Sequence, residues 1–142
     1  IFNTFGPRMA ENDGRVVSNF IIQALKNIPI TVYGNGKQSR SFCYVDDTVN
    51  GLIKMMNQND FTGPVDMGNP DEITIRQFAQ EIKDLTGSKS NIDYKPLPDD
   101  DPVRRLPDIS LAKEKLNWYP VFDRKKGLIS TIEYFRTLIG SD

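Results

Sequence analysis

Apolar residues recur every three or four positions in several parts of the chain, the spacing of an amphipathic helix. Val16, Phe20 and Ala24 belong to one such stripe, and Pro29 is expected to close it. These stripes, together with start and stop signals such as the capping-box spacing before Phe78, predict five helices. The predicted helices are residues 14–27, residues 46–57, the segment between Thr74 and Gly87, Ser110 to Leu116, and Asp123 to Ile139, with Gly140 as the last stop.

The second predicted helix places four apolar residues on one face. Asp46 or Asp47 is its expected N-cap, because aspartate side chains accept hydrogen bonds from the free N–H groups of a first turn. The helix then carries Val49, Leu52, Ile53 and Met56 on that face.

Short extended segments separate the predicted helices. "ITVY" at 30–33 and "SFCYV" at 41–45 alternate as strands, "VDMG" at 65–68 is a third extended piece, and Ile1 and Phe2 read as the end of another strand. Asn35-Gly36 lies between the first two and predicts a type I′ hairpin that pairs them. The glycines fit neither the phosphate-binding P-loop nor the G-x-G-x-x-G dinucleotide fingerprint.

Alternating helices and short strands predict an α/β fold over residues 1–142. Strands this short do not make a self-sufficient parallel sheet. We therefore expect that the chain begins within a domain and completes a larger one.

Composition removes several function classes. The 142 residues include 18 basic and 19 acidic side chains, a net charge of −1, so no bulk field favours nucleic acid or an anionic membrane. The chain has no histidine and one cysteine, Cys43. These counts exclude an intrachain disulfide, a histidine-dependent nucleophile, and a zinc site built from histidines or several cysteines. No metal site is expected.

Three arginine-bearing segments are candidates for binding an anion. Arg40 follows the glycine turn, Arg15 lies near a helix start, and Arg104 and Arg105 lie in "DDDPVRRLPD". Simpler interpretations stay open, since Asn12 or Asp13 can cap the helix, and Asp99, Asp100 and Asp101 can pair with the nearby arginines.

The order of several motifs resembles the carboxyl-terminal portion of the UDP-glucuronic acid decarboxylases, also called UDP-xylose synthases. The motifs are "NTFGPRM", "NDGRVVSNF", "TVYGNGKQSR", "YVDD", "GNP" and "DDPVRRLPDI", and the resemblance covers essentially the whole chain. They are specific for the extended short-chain dehydrogenase/reductase class and somewhat less so for the decarboxylases within it.

The resemblance implies an NAD-dependent reaction on a UDP-sugar. C4 of UDP-glucuronate is oxidised, the resulting β-keto acid loses carbon dioxide, and the 4-keto pentose is reduced to UDP-xylose. The glycine-rich NAD turn of the family, its catalytic serine or threonine, its glutamate and its tyrosine–lysine pair have no counterpart here. The Rossmann half that binds most of the NAD is therefore expected upstream, and this chain alone is expected to be inactive.

The family's site residues carry over by position. Thr4 matches a residue near the NAD, and Arg105 matches a candidate catalytic arginine to which we assign an electrostatic role. The resemblance implies that the UDP-sugar, including UDP-glucuronate, UDP-xylose or UDP itself, is bound by Arg15, Val16, Val17, Ser18, Asn19, Tyr33, Gly34, Arg40 and Arg105.

Two other function classes stay open. One is another nucleotide-sugar enzyme, either a 4,6-dehydratase or a 4-epimerase. The other is a non-catalytic nucleotide-sugar-binding module. For the complete enzyme we expect a homodimer without nucleic-acid partners. It is expected in the cytoplasm, or in the Golgi lumen if a membrane anchor lies upstream.

Overall fold

A computed structural model describes residues 1–97 and 103–140. Within these residues, short strands alternate with helices along the chain, as the hydrophobic pattern predicts. The elements are β1 (Thr4–Phe5), α1 (Val16–Leu25), β2 (Ile30–Tyr33), β3 (Ser39–Ser41), β4 (Cys43–Tyr44), α2 (Val45–Met56), β5 (Glu72–Thr74), α3 (Ile75–Thr86), β6 (Ile92–Lys95), β7 (Arg104–Arg105), α4 (Ser110–Leu116) and α5 (Arg124–Ile139).

The described strands form three small sheets instead of one continuous sheet. β1 pairs with β4 and β2 pairs with β6, both in parallel. β3 lies between β5, which is antiparallel to it, and β7, which is parallel to it. The α/β prediction is confirmed, and the strands are as short as the sequence indicates.

The main core lies between α1, α3 and α5. Phe20 and Ile21 of α1, Phe78 of α3, and Leu128 and Phe135 of α5 are buried in it. A second cluster forms around Trp118, which packs with Cys43, Met67, Ile109, Ala112 and Leu116.

Two helix starts are capped by side chains, the first of them by the predicted capping box. The Thr74 hydroxyl accepts the backbone N–H of Gln77, and the Gln77 side chain accepts the backbone N–H of Thr74. The Asp123 side chain accepts the N–H of Lys126 at the start of α5. Such caps satisfy orphan N–H groups and contribute about 1 kcal/mol each. At the other end of α3, Gly87 adopts a φ of 67°, which glycine tolerates without strain.

The start of α2 differs from the prediction. The N-cap is Tyr44, and neither Asp46 nor Asp47 caps the helix with its side chain. Asp47 is instead buried, and its two carboxylate oxygens accept the backbone N–H groups of Val121 and Phe122 at 2.9 and 3.0 Å. The Asp47 carboxylate therefore makes a contact that spans 74 residues of sequence and does not cap its own helix.

The apolar face predicted on α2 forms but lies on the surface. Val49, Leu52, Ile53 and Met56 are all exposed, whereas the buried side of the helix includes Thr48 and Gly51. The space beside Gly51 is small, since an added Cβ would lie 3.0 Å from the Trp118 ring nitrogen. The indole N–H also donates to the backbone oxygen of Asp47 at 2.9 Å.

The predicted type I′ hairpin between β2 and β3 is wrong, although the chain does turn at these residues. Gly34 and Gly36 adopt φ values of 66° and 70°, and the Asn35 side chain accepts the N–H of Lys37. After the turn, however, the Gln38 side chain bonds the Tyr33 oxygen, which is a group that a hairpin partner would have used. β3 therefore joins a different sheet from β2.

Other extended segments shift from their predicted positions. The "SFCYV" strand is split at Phe42 into β3 and β4, and Val45 already begins α2. The first strand is Thr4–Phe5 instead of Ile1 and Phe2, and "VDMG" forms no strand among the described residues. β6 and β7 were not predicted, because "IDYK" and the two arginines carry little apolar alternation.

No helix in the described part of the chain combines the length and the apolarity needed to span a membrane.

Candidate functional site

A cleft of about 380 Å³ lies between α1, β2 and the residues that follow the glycine turn. One face of α1 supplies a wall of the cleft, because positions spaced by three, four and seven share a helical face. The residues on that wall are Val16, Asn19, Phe20 and Gln23. Thr31 and Tyr33 of β2, followed by Gln38 and Arg40, line the opposite side.

The edge of β2 that faces away from β6 exposes backbone polar groups. Ile30 donates its N–H to the oxygen of Asn91, the residue before β6, at 2.8 Å, and Gly34 donates its N–H to the Lys95 oxygen of β6 at 2.7 Å. In a strand, successive residues direct these groups to opposite edges. The N–H and C=O groups of Thr31 and Tyr33 therefore face the free edge, and both residues line the cleft.

Two glutamine side chains already occupy half of that edge. The Gln23 Oε1 accepts the Thr31 N–H at 3.0 Å, and its Nε2 donates to the Thr31 hydroxyl at 3.3 Å. The Gln38 Nε2 donates to the Tyr33 oxygen at 2.7 Å. Among the described residues, the Thr31 oxygen and the Tyr33 N–H are left without a hydrogen-bond partner. The edge therefore offers a ligand one acceptor followed by one donor.

Arg40 brings a cation to the cleft with most of its surface buried. It is 8% exposed, lies in β3, and donates from Nη1 to the Ser39 oxygen at 2.7 Å. Lys95, which is exposed at the end of β6, also lines the cleft. A buried guanidinium and an exposed ammonium on one cleft favour an anionic ligand.

Arg105 lies beside Arg40 on the neighbouring strand. The two residues are in register between β3 and β7, so their side chains share a face of the sheet. The backbone oxygen of Arg105 accepts the Ser41 hydroxyl at 3.1 Å, and its side chain is exposed. Two of the three predicted arginine segments are thus adjacent, while Arg15 is exposed and pairs with Asp13 at 3.6 Å.

The "RVVSN" segment divides between the cleft and the interior. Val16 and Asn19 line the cleft. Val17 is buried in the main core, and the buried Ser18 hydroxyl bonds the Asp13 carboxylate and the Arg15 oxygen. The predicted segment therefore lies at the cleft, but only Val16 and Asn19 of these four residues line it.

Three other predicted positions lie at or near the cleft without a side chain that lines it. Gly34 continues the Tyr33 strand end, and a Cβ there would contact Leu97 at 3.3 Å. Arg15 follows the lining residue Gly14. Thr4 lies on β1, where its hydroxyl bonds that of Thr48 at 3.0 Å.

The start of α1 is organised by Asp13 without a standard cap. The N-cap position is Arg15 and carries no side-chain cap bond. Asp13 instead accepts the Arg15 N–H at 2.9 Å. The capping alternative therefore names the right residue but not its geometry.

Arg104 forms an ion pair with Glu72. Its Nε and Nη2 atoms donate to both oxygens of Glu72 at 2.8 and 2.9 Å. This contact, together with a bond from the Ser39 hydroxyl, lowers the pKa of Glu72, and the same carboxylate raises the pKa of Arg104. Pairing with Asp99, Asp100 or Asp101, the alternative from the sequence, lies outside the described residues.

Sequence reasoning did not single out Gln23, Phe20 or Thr31 as site residues. Gln23 lies four positions after Asn19 and seven after Val16, so the helical face of the resemblance motif pointed to it. Nothing local in the sequence predicts that the Gln38 side chain bonds the preceding strand.

The described residues contain no cluster of three or more side chains able to hold a metal ion. Cys43 is buried, and burial raises the pKa of its thiol. Raising the pKa disfavours the thiolate, which is the nucleophilic form of cysteine.

Comparison with known proteins agrees with this fold. The sequence profile of the NAD dependent epimerase/dehydratase family matches residues 1–68. UDP-glucuronic acid decarboxylase 1 of Danio rerio is 57% identical over 95% of this chain, and the Arabidopsis thaliana enzyme of the same name is 50% identical over 98%. The chain spans 32% of the length of each of these curated relatives.

A solved structure shows the same architecture. UDP-glucose 4-epimerase from Thermotoga maritima, determined with UDP-glucose, superposes with a TM-score of 0.92 over 97% of this chain and 45% of the epimerase. The two sequences are 31% identical.

In fold, the chain therefore matches part of that epimerase, and its first 68 residues are similar to the NAD dependent epimerase/dehydratase family. In sequence, the chain is similar to the UDP-glucuronic acid decarboxylases, which confirms the resemblance found in the sequence analysis.

Proposed function

We propose that this chain is the carboxyl-terminal, UDP-sugar-binding portion of an NAD-dependent UDP-glucuronate decarboxylase. The complete enzyme would convert UDP-glucuronate to UDP-xylose and carbon dioxide, and would act as a homodimer. The observation that carries the proposal is the cleft between α1 and β2, found in a chain similar over 95% of its length to named decarboxylases.

The free edge of β2 fits a uracil ring. Uracil has an N–H between two carbonyl groups, so it presents a donor beside an acceptor. The Thr31 oxygen accepts the uracil N–H in this arrangement, and the Tyr33 N–H donates to the neighbouring carbonyl. The edge therefore fits the base of a uridine nucleotide.

The cations of the cleft fit the diphosphate. The Arg40 guanidinium has the planar fork that bonds two phosphate oxygens at once. Lys95 adds a point charge at the rim, and the lining residues Gly14 and Val16 place the N-terminus of α1 at the cleft, where free N–H groups favour anions.

On this proposal Arg105 acts at the sugar end of the ligand. The support is its position one strand beyond Arg40, in register with it, if the diphosphate is bound by Arg40 and the sugar extends toward β7. We assign Arg105 an electrostatic role, in which its charge positions the substrate carboxylate and stabilises the electron density left after carbon dioxide departs.

The residues present do not form an NAD site. The sequence contains no glycine-rich dinucleotide fingerprint, and the Thr4 hydroxyl bonds Thr48. Tyr33 and Lys37 have the spacing of a tyrosine–lysine pair, but they flank a turn and do not share a helical face. NAD would supply the oxidation and reduction at C4 from a site built mainly by other parts of the enzyme, with Thr4 at its border.

The competing function is a 4-epimerase or 4,6-dehydratase of nucleotide sugars, which the likeness to the Thermotoga maritima epimerase favours. The test is to incubate the full-length protein that carries this chain with NAD and UDP-glucuronate, and to separate the products by chromatography. Formation of UDP-xylose with carbon dioxide supports the decarboxylase. Formation of a C4 epimer that keeps its carboxylate would overturn it.

A further inference from the structure

Strand β7 joins its sheet with little burial of its own. It consists of Arg104 and Arg105, and both of these residues are exposed. Val103 before it and Leu106 after it are exposed as well, and the next buried residue along the chain is Pro107. Burial of apolar surface therefore contributes little to holding this strand, and its position depends on polar contacts.

Backbone pairing and one hydroxyl supply part of those contacts. The Ser39 N–H donates to the Val103 oxygen at 3.0 Å, and the Ser41 hydroxyl donates to the Arg105 oxygen at 3.1 Å. On the cleft face of the sheet, Arg40 lies directly opposite Arg105, and two cations in that arrangement add no attraction. The charge attraction that the described residues show lies on the other face of the sheet.

Glu72 supplies that attraction by reaching across the central strand. The pairing register and the alternation of strand residues place Glu72, Ser39 and Arg104 on the same face. The Glu72 carboxylate projects from β5 and accepts the Ser39 hydroxyl of β3. It also accepts two hydrogen bonds from Arg104 of β7, at 2.8 and 2.9 Å. One side chain therefore joins all three strands.

The contact is well anchored on the side of Glu72. Ile73, the next residue, is buried in the main core, and Thr74 caps α3. The bond to Arg104 is bidentate, which fixes the plane of the guanidinium as well as its distance. Exposed ion pairs in general contribute little, but a bidentate pair specifies geometry. The contact therefore fixes the direction in which Arg104 points.

We propose that Glu72 and Arg104 are positioning residues that hold β7 on β3 with Arg105 on the face of Arg40, which lines the cleft. Adjacent residues of a strand face opposite ways, so holding Arg104 on the far face keeps Arg105 on the cleft face. The inference rests on the proposed function, because it takes Arg105 to act at the sugar end of the ligand. Glu72 and Arg104 act through β7 and do not touch the ligand.

The pair can be broken from either side. Glu72→Gln removes the negative charge, and Arg104→Met removes the guanidinium but keeps an unbranched side chain. Arg104→Lys keeps the charge without the bidentate fork and is expected to lie between these variants and the unmodified protein. If both residues act through one contact, the double variant Glu72→Gln/Arg104→Met loses no more than either single variant.

Glu114→Gln is the matched control. Glu114 forms an ion pair with Lys115 at 2.9 Å on α4, and both side chains are exposed. The variant makes the same chemical change as Glu72→Gln at a pair that joins no strands, and we expect it to behave as the unmodified protein does.

Two measurements on the full-length protein test the proposal. The first is hydrogen–deuterium exchange of the peptide that contains β7, which reports the pairing of this strand independently of any reaction. The second compares the single-turnover rate with UDP-glucuronate and the affinity for UDP, which lacks the sugar. We expect Glu72→Gln and Arg104→Met to exchange faster at β7 and to lose about tenfold in rate, while UDP affinity changes by less than about twofold. Partial unfolding would instead lower UDP binding and turnover together.

The outcomes separate the inference from the proposed function. If the unmodified protein forms no UDP-xylose, the proposed function fails, and unchanged exchange in the variants would overturn the inference on its own. If the protein is active and both single variants keep its rate, the inference is overturned and the proposed function stands. A slower rate with unchanged exchange at β7 also contradicts the inference, because the pair would not act through this strand. Should Glu72→Gln fail to fold, Arg104→Met and Arg104→Lys decide by the same two measurements.

Discussion

At the scale of single residues, Asp47 ties the start of α2 to the segment before α5. Its carboxylate is buried and accepts two backbone N–H groups. Asp47→Ala would leave both N–H groups without a partner, and we expect it to lower the free energy of unfolding by about 3 kcal/mol. The control is Asp46→Ala, an exposed neighbour expected to change stability by less than about 1 kcal/mol. Urea denaturation measures both, and equal losses would show that Asp47 does not make this link.

Glu72 gives the chain a dependence of stability on pH. Its pKa is lowered from an ordinary value of 4.5 by Arg104 and Ser39, so the folded state keeps the carboxylate ionised where the unfolded state takes up a proton. The stabilisation is present above pH 4.5 and is lost as the pH falls from there through the lowered folded pKa. We expect Glu72→Gln to flatten the stability profile in that window.

The control for this profile is Glu133→Gln, which changes an exposed glutamate of α5. Denaturant titrations between pH 6 and pH 3 compare the variants, and added salt should weaken the Glu72 effect because the pair is exposed. A Glu72→Gln profile parallel to that of the unmodified chain would contradict the role of the ion pair.

Arg105 is the residue that most directly tests the chemistry. In the full-length enzyme, Arg105→Lys keeps the charge but loses the planar fork, and Arg105→Met loses both. We expect single-turnover rates with UDP-glucuronate to fall in that order, by about 100-fold for the methionine variant. UDP titration is the companion measurement, since UDP lacks the sugar. If Arg105→Met lowers UDP affinity as much as turnover, the residue only binds phosphate.

At the scale of elements, α2 and α5 carry leucines in opposite environments. Leu52 is 42% exposed on the apolar face of α2, whereas Leu128 of α5 is fully buried in the main core. We expect Leu128→Ala to cost about 3 kcal/mol of unfolding free energy and Leu52→Ala less than about 0.5 kcal/mol in this chain. Thermal or urea unfolding of the two variants is the measurement. A comparable loss for Leu52→Ala would mean that the α2 face is covered.

The same two helices show how far the sequence predicts the elements. Periodicity located α1, α2, α3 and α5, and the capping-box spacing at Thr74 placed the start of α3 correctly. Periodicity identifies an apolar face but not what covers it, so it did not predict that the α2 face is exposed. The Asp47 prediction failed for a related reason, because a contact with Val121 outweighs a local cap.

The strands were harder to predict than the helices. Asn35-Gly36 specifies a turn, but pairing depends on which edge groups are already bonded, and Gln38 takes the Tyr33 oxygen that a hairpin needs. β7 consists of two arginines and joins β3 through long-range pairing alone. The candidate site was also predicted only in part. The resemblance named Val16, Asn19, Tyr33 and Arg40, which line the cleft, whereas Gln23 was found at the cleft only once the fold was known.

At the scale of the whole molecule, the proposed function assigns this chain one side of a reaction. On that proposal the cleft binds a base and a diphosphate, whereas no dinucleotide fingerprint occurs in the sequence. On the proposed function, the exposed face of α2 is covered by the rest of the enzyme. A chain that spans 32% of its curated relatives then supplies binding without the acid–base and cofactor groups of the reaction.

The last prediction follows from this division. The isolated 142-residue chain, with its mass verified near 16.1 kDa, is expected neither to bind NAD measurably nor to form UDP-xylose from UDP-glucuronate. The reason is chemical: the sequence has no glycine-rich turn for the pyrophosphate, and Tyr33 and Lys37 lie around a turn and not on one helical face. Calorimetry with NAD and chromatography of the reaction mixture are the measurements, with the full-length protein as the positive control. Clear UDP-xylose formation by the purified chain alone would show that its own residues suffice for the hydride and proton transfers, and would overturn the assignment of those steps to the rest of the enzyme.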